Sequence, residues 1–411
     1  AWSPEVLSEP PYWESQLKPD GRAALPVDTE GGENLERWAR GVTGKLTREE
    51  TRQLLQEVPA AYRTQITEVL LTALAAAVGG CRGDGGVVVD LEGHGREAPG
   101  DAEVDVTRTV GWFTTIHPVK LDISGSRGVS ERLKAVKEQV RGVPNGGAGY
   151  GLLRWASEDE GVRARMGELE SGEIIFNYLG QLDLALGAES VLSAAGESGG
   201  AEHAAAGERP YLLEVTASVG GGELQVGWAY SERMHERATV ERLAASYIEE
   251  LRRIIAHCAS EGAGGYTPSD FPLASLDQAK VDYLAEAYPR LEEVYTLSPM
   301  QQGMLFNILY NPASPRGFEQ ISCTLHGELD VAALKQCWRQ VIDRHPILRT
   351  SITWEGLYEP LQVLSRAAEL PWEEQNWEAL SADERQHRLS AFMREDQRRG
   401  FDLSMAPLLR L

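Results

Sequence analysis

The chain has 411 residues, of which 42% are hydrophobic, so it can bury a sizeable core and form more than one domain. Its formal net charge of −22 argues against a nucleic-acid-binding surface, because such a surface needs an excess of basic residues. The four cysteines form no CxxC pair and have no metal-ligand spacing, and no segment reads as a signal peptide or a long apolar span. We therefore expect a reduced, cytoplasmic protein that has no metal site and does not insert into a membrane.

Helix and strand signals alternate in the first part of the chain, which indicates a mixed α/β fold. The predicted elements are a helix opened by a capping box at Thr47 and Glu50, an apolar helix over 67–74, strands over 87–90 and 174–176, a hairpin over 211–230 and an amphipathic helix over 238–258. The charged and polar side chains considered below follow the strands predicted over 87–90 and 174–176.

Residues 260–293 predict a linker. They begin with small residues and glycines, and Pro268 and Pro272 disfavour a continuous helix, so a semi-rigid connector is expected. The pattern of helices and strands then starts again. Predicted after the linker are helices over 299–309, 330–344 and 382–399, and strands near 320–325 and 351–354.

The run Asp90-Leu91-Glu92-Gly93-His94-Gly95-Arg96-Glu97 directly follows an apolar strand. Glycines let the backbone turn sharply and approach a ligand, and a carboxylate held by a neighbouring arginine can serve as a base. On spacing alone the base could be Glu92 or Glu97, and Arg96 is near enough in the chain to orient the carboxylate or balance its charge. A solvated loop with ordinary ion pairs is the structural alternative.

Three further clusters combine glycines, aromatic residues and polar residues. Residues 108–115 set an arginine beside Trp112 and Phe113, residues 144–151 form a glycine-rich loop that contains Tyr150, and residues 176–180 end a strand with Asn177 and Tyr178. Taken singly, each is interpreted slightly more readily as a turn or a packed aromatic than as part of a functional site. The glycine loop lacks the ending and spacing of a phosphate-binding loop.

In this order, the motifs resemble those of the epimerization domains of nonribosomal peptide synthetases, and the resemblance covers residues 1–258. These domains are relatives of condensation domains in the chloramphenicol-acetyltransferase-like superfamily. Runs 295–306 and 344–350 resemble the first two motifs of condensation domains, and the opening run is similar to those that join a D-configured donor to an L-configured acceptor. His345 in the second run is expected to be architectural.

The resemblance implies two incomplete domains with chloramphenicol-acetyltransferase-like lobes: the C-terminal part of an epimerization domain (1–259), the linker (260–293), and the N-terminal part of a condensation domain (294–411). The implied activity is epimerization at Cα of an aminoacyl or peptidyl thioester, followed by peptide-bond formation, as in antibiotic biosynthesis. The expected catalytic residues are Glu92, Tyr178, Asn177 and Arg96, and the expected substrate-binding residues are His94, Trp112, Phe113 and Tyr150.

The resemblance also implies the partners. A carrier protein domain supplies the phosphopantetheine arm that bears the thioester, no cofactor binds directly, and the other partners are further synthetase domains. The superfamily signature is His-His-x-x-x-Asp-Gly, yet no two of the eight histidines are adjacent. We expect its two copies just before residue 1 and just after residue 411, so this chain on its own is expected to be inactive.

Two alternatives remain open at this point. A carrier-protein docking module, or a degenerate condensation fold, would keep the architecture and discard the role of Glu92. An acyltransferase like the small members of the superfamily fits less well, because those enzymes also need the histidine that is missing here.

Overall fold

Two separate hydrophobic cores organise the chain, which divides into a first unit, Ala1–Gly265, and a second unit, Tyr266–Leu411. The computed structural model describes residues 3–18, 25–82, 86–96, 105–106, 108–182, 200, 203–310 and 317–411. Among these residues, no helix has the length and apolar character needed to span a membrane.

A six-stranded mixed sheet forms the centre of the first unit. Its strands are β1 (Ala39–Lys45), β2 (Gly86–Gly93), β3 (Thr115–Asp122), β4 (Ile174–Gln181), β5 (Leu213–Gly220) and β6 (Glu223–Ser231), in the order β1-β6-β5-β4-β2-β3. β4 pairs in parallel with both β2 and β5, whereas the other neighbours are antiparallel. Two parallel strands therefore end side by side, at β2 and β4.

Helices cover this sheet: α1 (Pro4–Leu7), α2 (Pro10–Leu17), α3 (Arg48–Gln56), α4 (Val58–Tyr62), α5 (Ile66–Arg82), α6 (Val129–Arg141), α7 (Ala148–Gly151), α8 (Glu160–Gly167) and α9 (Arg237–Cys258). The predicted capping box at Thr47 and Glu50 is present and opens α3. α5 is apolar on most sides because it is enclosed, and α9, which packs on it, buries one stripe at helical spacing.

The second unit has a three-stranded antiparallel sheet with the order β7-β9-β8, made of β7 (Leu291–Thr296), β8 (Thr350–Thr353) and β9 (Leu361–Ser365). Its helices are α10 (Gln278–Ala287), α11 (Pro299–Tyr310), α12 (Val331–Arg344) and α13 (Ala382–Arg399). Arg349, which is 6% exposed, donates hydrogen bonds to the carbonyl oxygens of Ile342 and Ser365. The run that was expected to be architectural thus ties α12 to the sheet.

Two local predictions for the second unit differ from the structure. The strand predicted near 320–325 is wrong: these residues belong to no strand in the described part of the unit, and 321–325 are exposed. The predicted linker contains the whole of α10, since Asp277 caps that helix and Val281 and Leu284 are buried in the second core. Prolines at 268 and 272 precede this helix and so do not interrupt it.

Candidate active site

A cavity of about 660 Å³ lies at the ends of β2 and β4 in the first unit. Consecutive residues of each strand line it, namely 91–94 and 176–179. Since successive strand residues point to opposite faces of a sheet, the cavity must extend across the strand ends. Its polar lining consists of Gln65, Thr67, Glu68, Glu92, His94, Thr114, His117, Asn177 and Tyr178.

Glu92 and Asn177 occupy equivalent positions on two parallel strands. The last paired residues of β2 and β4 are Leu91 and Phe176, so Glu92 and Asn177 each follow immediately. Tyr178 comes next, before a break in the register of β4, and partial burial raises the pKa of its phenol. Three of the predicted site residues therefore meet in one cavity, together with His94.

Arg96 does not have the predicted ion pair with Glu92 among the described residues. Its guanidinium donates hydrogen bonds to the carbonyl oxygens of Val106 at 2.8 Å and Thr109 at 2.9 Å, and it lies 4.7 Å from the centroid of the Phe113 ring. Three backbone carbonyl groups, those of Val106, Thr109 and Gly111, accept from this guanidinium and so occupy its donors. Arg96 thus organises the loop over 106–113.

The backbone around Arg96 needs a glycine. Gly95 has φ +61°, and a Cβ there would lie 1.6 Å from the carbonyl oxygen of Phe113. The close approach holds Phe113 beneath Arg96, whereas Trp112 is 89% exposed. Neither aromatic residue lines the cavity, and their predicted contacts with substrate stay predictions.

Tyr150 is a core residue and does not line the cavity. Its side chain is 6% exposed, its ring centroid lies 5.0 Å from that of the fully buried Trp13, and its hydroxyl accepts a hydrogen bond from Arg154. The ring of Tyr150 thus packs between α7 and α2, and its predicted contact with substrate stays a prediction. Glu97, the rival base, lies outside the described residues.

A buried ion pair in the cavity wall was not predicted from the sequence. Glu68, in the first turn of α5, is 2% exposed and accepts from Arg141 Nε at 2.7 Å and from the backbone N–H of Gln65 at 2.7 Å. Arg141 also donates to the carbonyl oxygen of Arg63 at 2.6 Å. The available signal was a glutamate within an otherwise apolar, buried helix, since a buried carboxylate needs a partner.

Replacing Arg141 with leucine is expected to lower the free energy of unfolding by about 2 kcal/mol. The buried Glu68 would lose its cation, and we set the figure below the usual cost of breaking a buried pair because the Arg141 side chain is 25% exposed. Denaturant unfolding measures this change. Arg165→Leu, which removes a more exposed partner of Glu14, is the control and should barely move the transition. An equal shift in both variants would contradict the assignment.

His117 was also missed. It belongs to β3, opposite Leu91, lines the cavity and is 7% exposed. Burial lowers the pKa of its imidazole to about 4, so the ring is neutral at pH 7. A lone histidine after an aromatic run carried no signal that would have separated it from a core residue.

Comparison with known protein families matches residues 2–274 and 291–411 to the condensation domain. The chain belongs to the condensation domain family. The mixed α/β, chloramphenicol-acetyltransferase-like fold that the motifs predicted is thereby confirmed. No group of three or more His, Cys, Asp or Glu side chains suited to a metal ion occurs in the described ranges.

The relatives of this condensation-family chain are peptide synthetases. Over its whole length it is 44% and 43% identical to two of the proteins that make up the linear gramicidin synthase of Brevibacillus parabrevis, and 34% identical to bacitracin synthase 3 of Bacillus licheniformis. The chain spans 5%, 8% and 6% of the length of these three proteins, respectively.

A solved structure resembles part of this condensation-family chain. The crystal structure of the epimerization domain from the third module of tyrocidine synthetase B is 36% identical, with a TM-score of 0.57. The match covers 62% of this chain and 56% of that domain.

Proposed function

We propose that this chain is part of a nonribosomal peptide synthetase and that its first unit contributes to an epimerase. Its substrate is an L-aminoacyl or L-peptidyl thioester on the phosphopantetheine arm of a carrier protein domain. The observation that carries the proposal is the meeting of Glu92, Asn177 and Tyr178 in one cavity at the ends of two parallel strands. The similarity to a solved epimerization domain supports it.

The chemistry begins with the acidity of the Cα–H bond. A thioester carbonyl accepts the electron pair released when this proton leaves, so the intermediate is an enolate with its negative charge on oxygen. Glu92 takes the proton from one face of Cα as general base. Asn177 and Tyr178 can donate hydrogen bonds to the charge that develops. Return of a proton to the opposite face gives the D-configured thioester.

The opposite face needs its own acid. In the proposed epimerase this is the histidine of a His-His-x-x-x-Asp-Gly run, which the 411 residues do not contain. Arg96 is not proposed to pair with Glu92. It donates hydrogen bonds to the carbonyl oxygens of Val106 and Thr109 and so positions the loop next to the base. The proposed domain limits are 1–259 for the epimerase part, 260–293 for the linker and 294–411 for the condensation part.

The parent synthetase, with its carrier loaded with an L-aminoacyl thioester in D₂O, is expected to place deuterium at Cα and to yield a mixture of D and L residues. Mass spectrometry of the released amino acid, followed by chiral chromatography, measures both. A docking module without chemistry would leave the residue undeuterated and wholly L, and this result would overturn the proposal. A carrier loaded with a residue that has no Cα proton serves as the blank.

The second unit is proposed to open a condensation domain that takes the D-configured donor. The first helix of the proposed condensation part, α11, buries only Leu305 among its apolar side chains, while Met300 and Phe306 are 77% and 64% exposed. These side chains are therefore not core packing within the described residues. An epimerase leaves a mixture of both hands, so directional synthesis requires selection at the next step, through contacts that one hand cannot make.

With donors that cannot epimerise, the parent synthetase is expected to condense the D form at least about tenfold faster than the L form, a ratio that one misplaced group in a pocket can produce. The carrier is loaded separately with D- and L-peptidyl analogues that lack a Cα proton, and the condensed product is quantified by chromatography. Equal rates, or a preference for L, would refute selection of the D donor.

A further inference from the structure

His117 has an unusual setting on the cavity wall. It pairs with Leu91 across β2 and β3, one residue from the pair formed by Glu92 and Ile116. Its ring lies flat against the glycine loop: a Cβ on Gly147 would be 2.1 Å from both Cγ and Nδ1. The side chain is 7% exposed and still lines the cavity.

The two ring nitrogens differ in what they can reach. Nδ1 is buried and has no hydrogen-bond partner in the described part of the chain, whereas Nε2 is not among such buried atoms. Of the two nitrogens, Nε2 is therefore the one left open to a partner, on a side chain that lines the cavity. A buried N–H without an acceptor is rarer in proteins than a buried acceptor without a donor. This preference leaves Nδ1 as the bare nitrogen and places the proton of the neutral ring on Nε2.

We propose that His117 Nε2–H donates a hydrogen bond to the carbonyl oxygen of the thioester bound in the cavity, and so stabilises the enolate that forms there. The inference rests on the proposed function. Glu92 takes the Cα proton, the C–H electron pair moves into the new C=C bond, and the carbonyl π pair moves onto oxygen. His117 keeps its own proton throughout. When Cα is reprotonated, an oxygen lone pair re-forms the carbonyl π bond and the C=C pair takes up the incoming proton as the new C–H bond, which neutralises the charge.

A neutral imidazole suits this role because it is a weak acid. It can polarise a carbonyl by hydrogen bonding without giving up its proton, and so does not quench the enolate as an imidazolium would. The burial of the ring against Gly147 also fixes its direction before the substrate arrives, and a preorganised donor loses no free energy in reorienting during the reaction.

The test compares His117→Phe and His117→Gln in the parent synthetase. Phenylalanine keeps a flat ring against Gly147 but has no donor, whereas glutamine keeps an N–H donor. We expect His117→Phe to slow Cα deuterium exchange about 100-fold, the effect of removing one preorganised donor, and His117→Gln to recover much of that loss. His203→Gln, which changes an exposed histidine, is the matched control and should exchange normally.

A second measurement does not depend on turnover. Carriers are loaded with an aminoacyl amide, which has the carbonyl oxygen, or with the matching amine, in which CH₂ replaces the carbonyl group, and their affinities for the synthetase are measured. His117→Phe should weaken binding of the amide about tenfold relative to the amine, as expected for one hydrogen bond.

The outcomes separate the two proposals. If the wild-type synthetase exchanges Cα protons but His117→Phe changes neither exchange nor the amide-to-amine affinity ratio, the role of His117 is refuted and the epimerase stands. If the wild type shows no exchange, the epimerase proposal fails, and the affinity ratio still decides whether His117 binds the carbonyl oxygen. If His117→Phe has a lowered unfolding midpoint, His117→Leu, which also lacks a donor, replaces it in the affinity comparison.

Discussion

Glu92→Gln in the parent synthetase is expected to reduce deuterium exchange at Cα of a carrier-bound thioester by at least about a thousandfold, within the range for loss of a general base. Glutamine has nearly the shape of glutamate and keeps a hydrogen-bonding group in the cavity, but its amide cannot accept the Cα proton. The rate is measured by mass spectrometry of the released amino acid after timed incubation in D₂O.

The control for this substitution is Glu249→Gln. Glu249 lies on the exposed surface of α9, where its contact with Arg253 is 3.8 Å long, so removing its charge should leave exchange unchanged. Exchange by Glu92→Gln at near the wild-type rate would show that another group removes the proton. Glu97 would then be the next candidate for substitution.

Gly147→Ala is expected to lower the free energy of unfolding by about 3 to 5 kcal/mol. Its φ of +83° is costly for alanine, and the added Cβ would lie 2.1 Å from the ring of the buried His117. Denaturant unfolding followed by fluorescence of the buried residues Trp13 and Trp228 reports the change in the first unit.

Gly151→Ala is the matched control, four residues further along the chain. Gly151 belongs to α7, has a helical φ of −63°, and has nothing within 4 Å of where its Cβ would be, so alanine should stabilise the chain by about 0.5 kcal/mol. Combining Gly147→Ala with His117→Ala should relieve the overlap and give less than the sum of the two losses. A Gly147→Ala variant as stable as the wild type would mean that the loop and the ring are not in contact.

Several features were predictable from sequence because the physics that produces them is local. The capping box at Thr47 and Glu50, the apolar helix α5 and the strand that leads into Glu92 each follow from side chains a few residues apart. The motifs resembled those of epimerization and condensation domains, and the family comparison confirms the condensation domain family. Glu92, Asn177 and Tyr178, which were predicted from the motifs at the ends of two strands, lie in one cavity.

Other features depend on segments that are far apart in the chain. Adjacency predicted that Arg96 would face Glu92, but the loop over 106–113 returns with carbonyl groups that compete for the guanidinium. Tyr150 was predicted to contact the substrate, and its ring packs against that of Trp13, from a distant part of the chain. The run over 320–325 alternates polar and apolar residues as a strand does, yet a strand forms only where a neighbouring strand supplies hydrogen bonds.

The sequence alone thus determined the family, most of the helices and strands, and the base that we propose, since motif order, periodicity and caps are properties of neighbouring residues. Only the tertiary structure showed that Glu68 and His117 share the cavity with that base. His117 meets Gly147 across 30 residues of chain, and Glu68 meets Arg141 across 73. Burial, hydrogen-bond satisfaction and the charge of an imidazole depend on such contacts, because each is set by what surrounds a group in space.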